Sequence, residues 1–138
     1  GPALTEHLLE EIDRYAALIA PSAACNFKVW DILDKFGLKE AEFIPYWRSN
    51  INAPKEHLVC SCYKNKTIMD KERYLLILAN LSGMDENNAE FNFGEIRLDE
   101  YNIIDAQTKK IIHAKNNCIK TNIESYGHKL VVLEPKIS

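Results

Sequence analysis

The chain has 138 residues and an apolar fraction of 46%, which is enough for one folded domain with its own core and without disulfide staples. Its 17 basic and 20 acidic residues are mixed along the sequence and give a net charge of −3, which argues against a nucleic-acid binder or a polybasic membrane-surface segment. The apolar runs are also too short to cross a bilayer, so we expect neither nucleic acid nor a membrane among the partners.

The chain begins with Gly1-Pro2-Ala3, which is typical of the remnant that a protease leaves after an affinity tag is removed. We therefore interpret the chain as a fragment cut from a longer protein. A native leader would then lie upstream of Ala3, and the sequence by itself does not indicate a compartment.

Helical periodicity dominates the first 50 residues. Apolar residues recur every three or four positions over Leu4–Ile19, and Thr5 is a suitable N-cap, which predicts a first helix. A second helix is predicted over Phe27–Phe36, with Gly37 in the position that ends a helix in the left-handed conformation. A third helical turn is expected over Lys39–Phe43.

From His57 onward the pattern changes to that of β-strands. Arg73–Leu81 is the strongest candidate, because its nearly unbroken apolar run predicts a central strand that is covered on both faces. Phe91 and Phe93 alternate with polar residues, as in a half-buried strand. The other predicted strands are Leu58–Tyr63, Tyr101–Asp105, Lys110–Ile112, Cys118–Ile123 and Lys129–Glu134.

Six or seven short strands at regular spacing predict an antiparallel β-sandwich. Loops are expected between them, among others over Gly83–Asn88. The fold class predicted from the sequence is therefore mainly β, an antiparallel β-sandwich preceded by two or three N-terminal helices. We divide the chain into a helical lead-in segment at residues 1–50 and a β-sandwich domain at residues 51–138.

Cys60-x-Cys62 is the sharpest local feature, because two thiolates at this spacing can bind zinc. Structural zinc needs four ligands, which come from a second close pair, whereas Cys25 and Cys118 are single and distant. Residues two apart in a strand lie on one face, so the favoured interpretation is two small buried side chains. We predict no metal site.

Other chemistry-bearing side chains do not form a catalytic pattern. The histidines are far apart and lack a spaced Ser or Cys nucleophile; they are His7, His57, His113 and His128. Glycosidases need two carboxyl groups that face each other across a cleft, whereas the acidic pairs are adjacent residues: Glu10-Glu11, Asp85-Glu86 and Asp99-Glu100. We interpret these side chains as structural or solvated, and predict no catalytic residue and no cofactor.

The best candidate for a binding site is the aromatic stretch with Phe43, Tyr46, Trp47 and Arg48. Sugar rings stack their C–H faces on aromatic rings, and Arg hydrogen-bonds to their hydroxyl groups, so this stretch could bind carbohydrate. The favoured alternative is that these side chains pack the helical lead-in against the sandwich or against a neighbouring domain.

The order of these segments resembles the C-terminal part of large glycoside-hydrolase-like proteins related to family-123 glycoside hydrolases. In those proteins a stretch similar to Phe27–Leu38 and Glu40–Trp47 closes a catalytic barrel, and a β-sandwich follows. Leu75–Ser82 resembles their central strand, and Tyr126–Leu133 their closing strand. Ile104–Thr108 is similar to a turn that is common in the C-terminal sandwiches of α-amylase-type enzymes.

This resemblance implies a non-catalytic C-terminal accessory domain, whose partner is the catalytic barrel of the parent chain and whose location is secreted or at the cell surface. The family's catalytic carboxylates belong to the barrel and match no position here. Two other functions remain open: a carbohydrate-binding module that uses the exposed aromatic residues, and a small stand-alone enzyme, which would need a cleft with convergent titratable groups.

Overall fold

The computed structural model describes residues 31–37 and 40–137, and this part of the chain is mainly β. A helical segment at residues 31–36 comes first, and a short 3-10 turn, Leu98–Glu100, precedes the fifth strand. The strands are β1 (Glu42–Ile44), β2 (Leu58–Lys66), β3 (Glu72–Asn80), β4 (Glu86–Asn92), β5 (Tyr101–Asp105), β6 (Cys118–Ile123) and β7 (His128–Pro135).

All strand pairs are antiparallel, as the sequence predicts. Five strands form one sheet in the order β1-β2-β3-β7-β5, and β4 pairs with β6 in a second, two-stranded sheet. The predicted central strand is confirmed: β3 lies in the middle of the larger sheet, and its last seven residues are all buried.

The two faces of β3 contribute to two different cores. Leu76 and Leu78 share the larger core with Phe91 of β4 and Ile119 of β6, so the five-stranded and two-stranded sheets have a common apolar layer between them. On the opposite face, the second core holds side chains from β3 together with the helical segment: Leu75, Ile77, Ile32, Leu33 and Phe36. The continuous apolar run of β3 follows from this double coverage, since successive residues point to opposite faces.

The helical segment ends where the sequence predicts. Gly37 has a φ of +86°, a left-handed conformation that glycine adopts without steric cost, and its N–H donates to the carbonyl of Asp34. The free carbonyl of Phe36 then accepts hydrogen bonds from Asn65 Nδ2 at 2.7 Å and Arg73 Nη1 at 3.1 Å. The hairpin β2–β3 therefore caps this helix end.

Asn80, the last residue of β3, connects the two sheets. Its side-chain amide donates to the carbonyl oxygens of Ile123 and Glu124 at the end of β6, at 3.2 Å each, and to that of Met84 at 2.8 Å. Its Oδ1 accepts hydrogen bonds from the N–H and the hydroxyl of Ser82. A fully buried polar side chain is thus satisfied on both its donor and its acceptor side.

Three local predictions are wrong. The helical turn predicted over Lys39–Phe43 is wrong in its second half, where residues 42–44 form β1 and complete the edge of the sheet by pairing with β2; Glu40 is in a 3-10 turn, and Lys39 lies outside the described residues. The expected loop Gly83–Asn88 ends early, since β4 begins at Glu86 and pairs there with β6. Lys110–Ile112 is not a strand, and its contact with β5 is a single bridge between Ile104 and Ile111.

The predicted first helix, Leu4–Ile19, and residues 27–30 of the second lie outside the described residues. The described remainder of the second, residues 31–36, is helical. The division of the chain at residue 50 stays a prediction; β1, on the N-terminal side of that boundary, pairs with β2 on the other side.

The Asn80 hydrogen bonds lead to a stability prediction. Asn80→Ala leaves the three carbonyl oxygens without their donor in a mostly buried setting, so we expect the free energy of unfolding to fall by about 2–3 kcal/mol. Urea denaturation measures this change. Asn102→Ala, at an exposed position of β5, is the matched control and should change stability by less than about 0.5 kcal/mol. Equal stabilities of the two variants would contradict the role of Asn80.

Candidate functional site

A cleft of about 430 Å³ lies between the turn end of hairpin β2–β3, residues 48–51 and residues 95–101. Its floor is formed by side chains on the face of the larger sheet that points to the two-stranded sheet, among them Cys62 and Tyr74. The 3-10 turn Leu98–Glu100 brings Glu100 and Tyr101 to one side of it.

Two tyrosines and a carboxylate form the centre of the cleft. The ring centroids of Tyr74 and Tyr101 are 6.0 Å apart in an edge-to-face arrangement, and the Tyr74 hydroxyl donates to Glu72 Oε2 at 2.8 Å. Burial, followed by this hydrogen bond to Glu72, raises the pKa of Tyr74 above its usual range, and burial likewise raises the pKa of Tyr101. Both phenols therefore remain protonated at physiological pH.

The charged side chains that line this cleft are balanced in sign. Lys64 Nζ lies 3.7 Å from Glu72 Oε1, and Arg97 Nη1 lies 3.8 Å from Glu100 Oε1, which is longer than a direct hydrogen bond in both pairs. These groups keep donor and acceptor capacity for a ligand. The full charged set is Arg48, Lys64, Arg97, Glu72, Glu95 and Glu100, three of each sign.

Of the four binding residues that the sequence predicts, three are at the surface and one is buried. Tyr46 and Trp47 are exposed, by 39% and 58%, and their ring centroids are 5.1 Å apart in an edge-to-face arrangement. Arg48 follows them and lines the cleft. Phe43 does not reach this surface, because it is buried in the second core with its ring 4.8 Å from that of Tyr63.

The turn that presents Tyr46 and Trp47 is fixed to the sheet. The N–H of Tyr46 donates to Ser61 Oγ at 3.0 Å, and Ser49 Oγ donates to the carbonyl of Cys60 at 2.8 Å. Within the turn, the N–H groups of Arg48 and Ser49 both donate to the carbonyl of Pro45. The two exposed rings therefore stand on a backbone that β2 holds in place.

Sequence reasoning missed most of the cleft. Lys64 and Tyr74 are directly opposite each other on β2 and β3, while Tyr101 belongs to β5. Their proximity depends on strand register and on the path of the chain between β4 and β5, which no local pattern indicates. The one usable signal in the sequence is the acidic pair Asp99-Glu100 next to Tyr101, although adjacent acidic residues by themselves indicate solvated surface.

A second charged cluster surrounds Glu86. This carboxylate is mostly buried and accepts hydrogen bonds from Lys55 Nζ at 2.8 Å; it also lies 2.5 Å from His57 Nε2. Lys55 first, and then His57, lower the pKa of Glu86 below its usual range. The interpretation of Glu86 as solvated surface is wrong, because these two side chains draw it into a contact that joins the segment before β2 to β4. Its neighbour Asp85 is exposed.

The Cys60-x-Cys62 pair consists of two buried side chains on one strand face, as predicted. Both are free thiols in the larger core, 1% and 2% exposed. Burial raises the pKa of Cys62 to about 12. Lys64 lowers this pKa slightly and Glu42 raises it slightly. Burial also raises the pKa of Cys60. Within residues 31–37 and 40–137, no three or more His, Cys, Asp or Glu side chains are grouped to hold a metal ion.

Comparison with known proteins gives a likeness of fold. No protein-family model and no curated protein matches the sequence. Among solved structures, an Anoxybacillus α-amylase, described as giving insights into a new glycosyl hydrolase subclass, superposes with a TM-score of 0.54 at 12% sequence identity. The match covers 80% of this chain but 22% of that chain, so this chain corresponds in fold to about a fifth of the α-amylase.

The part of the chain that the structure describes has no helix with the length and apolar character needed to cross a membrane.

The burial of the cysteine pair predicts its reactivity. With a pKa of about 12, the Cys62 thiol is about 0.01% thiolate at pH 8, and burial raises the pKa of Cys60 as well, so both should resist iodoacetamide in the folded chain. Peptide mass spectrometry after labelling, with and without urea, measures this. We expect both thiols to be modified in urea only. Rapid labelling of either one without urea would show that the larger core opens or that these thiols reach solvent.

Proposed function

We propose that this chain is a non-catalytic β-sandwich accessory domain of a larger glycoside-hydrolase-like protein, in which it packs on a catalytic barrel and stabilises it. The observation that carries the proposal is the fold match, in which four-fifths of this chain corresponds to about a fifth of an α-amylase. We further propose that the parent is related to family-123 glycoside hydrolases, on the resemblance of the stretch from Phe27 to Trp47.

The acidic side chains in the described residues support an accessory role rather than a stand-alone hydrolase. The general acid of a glycosidase lies in an apolar pocket that raises its pKa. Glu86, the buried glutamate, has the opposite environment, because Lys55 and His57 lower its pKa. Asp99 and Glu100 are exposed next to each other on the 3-10 turn.

The turn at residues 45–49 is the surface that we propose for the interdomain contact. It presents Tyr46 and Trp47 on a backbone that Ser49 and Ser61 fix to β2, so binding costs little ordering of the main chain. Exposed aromatic side chains of this kind are typical anchors of interfaces between domains.

The accessory role predicts a change in the stability of the barrel. The parent protein with this domain should unfold at a temperature about 4 °C or more above that of its barrel alone, equivalent to roughly 2 kcal/mol of coupling. Calorimetry on both proteins measures this. In the parent protein, Trp47→Ala should remove a large part of the gain, whereas Ile68→Ala, at an even more exposed apolar side chain of the β2–β3 turn, should not. An unchanged barrel would count against the accessory role.

A second candidate function is carbohydrate binding by Tyr46, Trp47 and Arg48. The observation that favours it is the exposed edge-to-face pair of aromatic rings next to a guanidinium group. Exposed aromatic rings can stack on the C–H faces of sugars in the absence of any neighbouring domain.

This alternative is tested by affinity electrophoresis of the 138-residue chain in gels that contain soluble polysaccharides. Binding through the turn predicts retention that Trp47→Ala abolishes, because the most exposed ring of the pair is lost, and that Ile68→Ala preserves. Retention that is equal in the chain and in Trp47→Ala would exclude the turn as the binding surface.

A further inference from the structure

We propose that the cleft between hairpin β2–β3 and residues 95–101 binds a neutral saccharide unit through the rings and polar groups around Tyr74 and Tyr101. This inference deepens the proposed function, since it assigns a ligand class to the accessory domain. The cleft adjoins the Tyr46–Trp47 turn and shares Arg48 with it, but Tyr46 and Trp47 do not line it, and binding there does not depend on a contact with the barrel.

The size and lining of the cleft suit a small ligand. Its volume of about 430 Å³ lies within the range of ligand pockets in proteins, roughly 300–1,000 Å³. Apolar and aromatic side chains, Ile96 and Tyr101 among them, share the lining with six charged side chains. The lining therefore offers many hydrogen-bond donors and acceptors beside its aromatic rings, which suits a polyhydroxylated ligand.

The balance of charge selects a neutral ligand. Three basic and three acidic side chains line the cleft, so an anion or a cation would meet like charges as well as opposite ones. Hydroxyl groups are both donors and acceptors, and they can bond to carboxylates and to cationic groups at the same time. A polyhydroxylated neutral molecule therefore matches this lining better than a phosphate or an amine.

Glu72 and Lys64 form the best-defined part of this polar lining. Tyr74 donates to Glu72 Oε2, which leaves Oε1 at 3.7 Å from Lys64 Nζ; the same ammonium group lies 3.6 Å from Glu42 Oε2, which is not part of the cleft lining. A sugar hydroxyl placed between them donates to the carboxylate and accepts from the ammonium group. The ligand would thus replace a loose ion pair by two charge-assisted hydrogen bonds.

Arg97 and Glu100 line the same cleft from the 3-10 turn, next to Tyr101. Their side chains are 69% and 62% exposed and 3.8 Å apart, so they can turn towards a ligand without loss of core packing. Tyr101 is partly exposed at the start of β5 and offers an aromatic surface to the C–H groups of a sugar ring.

The test is a titration of the ¹⁵N-labelled 138-residue chain, followed by NMR, with neutral gluco-, manno- and galacto-oligosaccharides up to millimolar concentration. Uronic-acid oligosaccharides and inorganic phosphate are the charged probes. We expect a neutral oligosaccharide to shift the amide signals of β3 and residues 95–101, and the charged probes to bind at least tenfold more weakly.

Matched variants locate the site. Arg97→Ala and Glu100→Gln should each raise the dissociation constant about tenfold, the loss expected for one hydrogen bond to a charged group. Glu124→Gln changes an exposed carboxylate just after β6 that does not line this cleft, and should bind within twofold of the unchanged chain. All three substitutions are at exposed positions, and unchanged melting temperatures would verify that they fold.

The possible results separate the proposals. Binding that Trp47→Ala abolishes and the two cleft variants leave intact would place the sugar at the turn and overturn the cleft. Tighter binding of phosphate or uronic acids, or the absence of shifts with every neutral oligosaccharide, would overturn it too. Failure of the barrel to gain stability would refute the accessory role and leave a positive titration unaffected.

Discussion

The position of β3 is the constraint on which the rest of the structure depends. A strand whose last seven residues are all buried needs a partner on each edge and a cover on each face. Here β2 and β7 pair with its edges, the two-stranded sheet covers one face, and residues 31–36 contribute to the cover of the other. At the Asn80 end the sheets are joined by hydrogen bonds, whereas the cleft lies beside the other end, near Glu72 and Tyr74.

The sequence predicted those parts of the fold in which the local pattern of apolar residues matches their burial in the folded chain. Leu75–Ala79 is apolar at every position, and β3 is buried on both faces; Cys60 and Cys62 alternate with neighbours and share one face. The errors arose where pairing decides the structure. Glu42–Ile44 is a strand only because the edge of β2 is beside it, and Glu86 is buried at the start of β4 because Lys55 and His57 contact its carboxylate there.

The candidate site was predictable to a smaller extent. Tyr46, Trp47 and Arg48 are consecutive, so a search for aromatic side chains near a guanidinium group finds them. The cleft joins Lys64, Tyr74 and Tyr101, which come from three strands, and it exists because the path from β4 to β5 passes over the larger sheet at that point. The local sequence around any one of these residues does not indicate which residues of other strands will lie next to it.

The buried amide at the end of β3 has a consequence for production of the protein. Asn80-Leu81-Ser82 matches the acceptor sequence for N-linked glycosylation, which normally marks a surface loop. In the folded chain this asparagine is fully buried, and its side-chain nitrogen already donates hydrogen bonds to the carbonyl groups at the end of β6. A sugar attached there during synthesis is incompatible with the joined sheets. In a secretory host, modification and folding would compete for the same nitrogen atom, and the properly folded fraction would carry no glycan at this position.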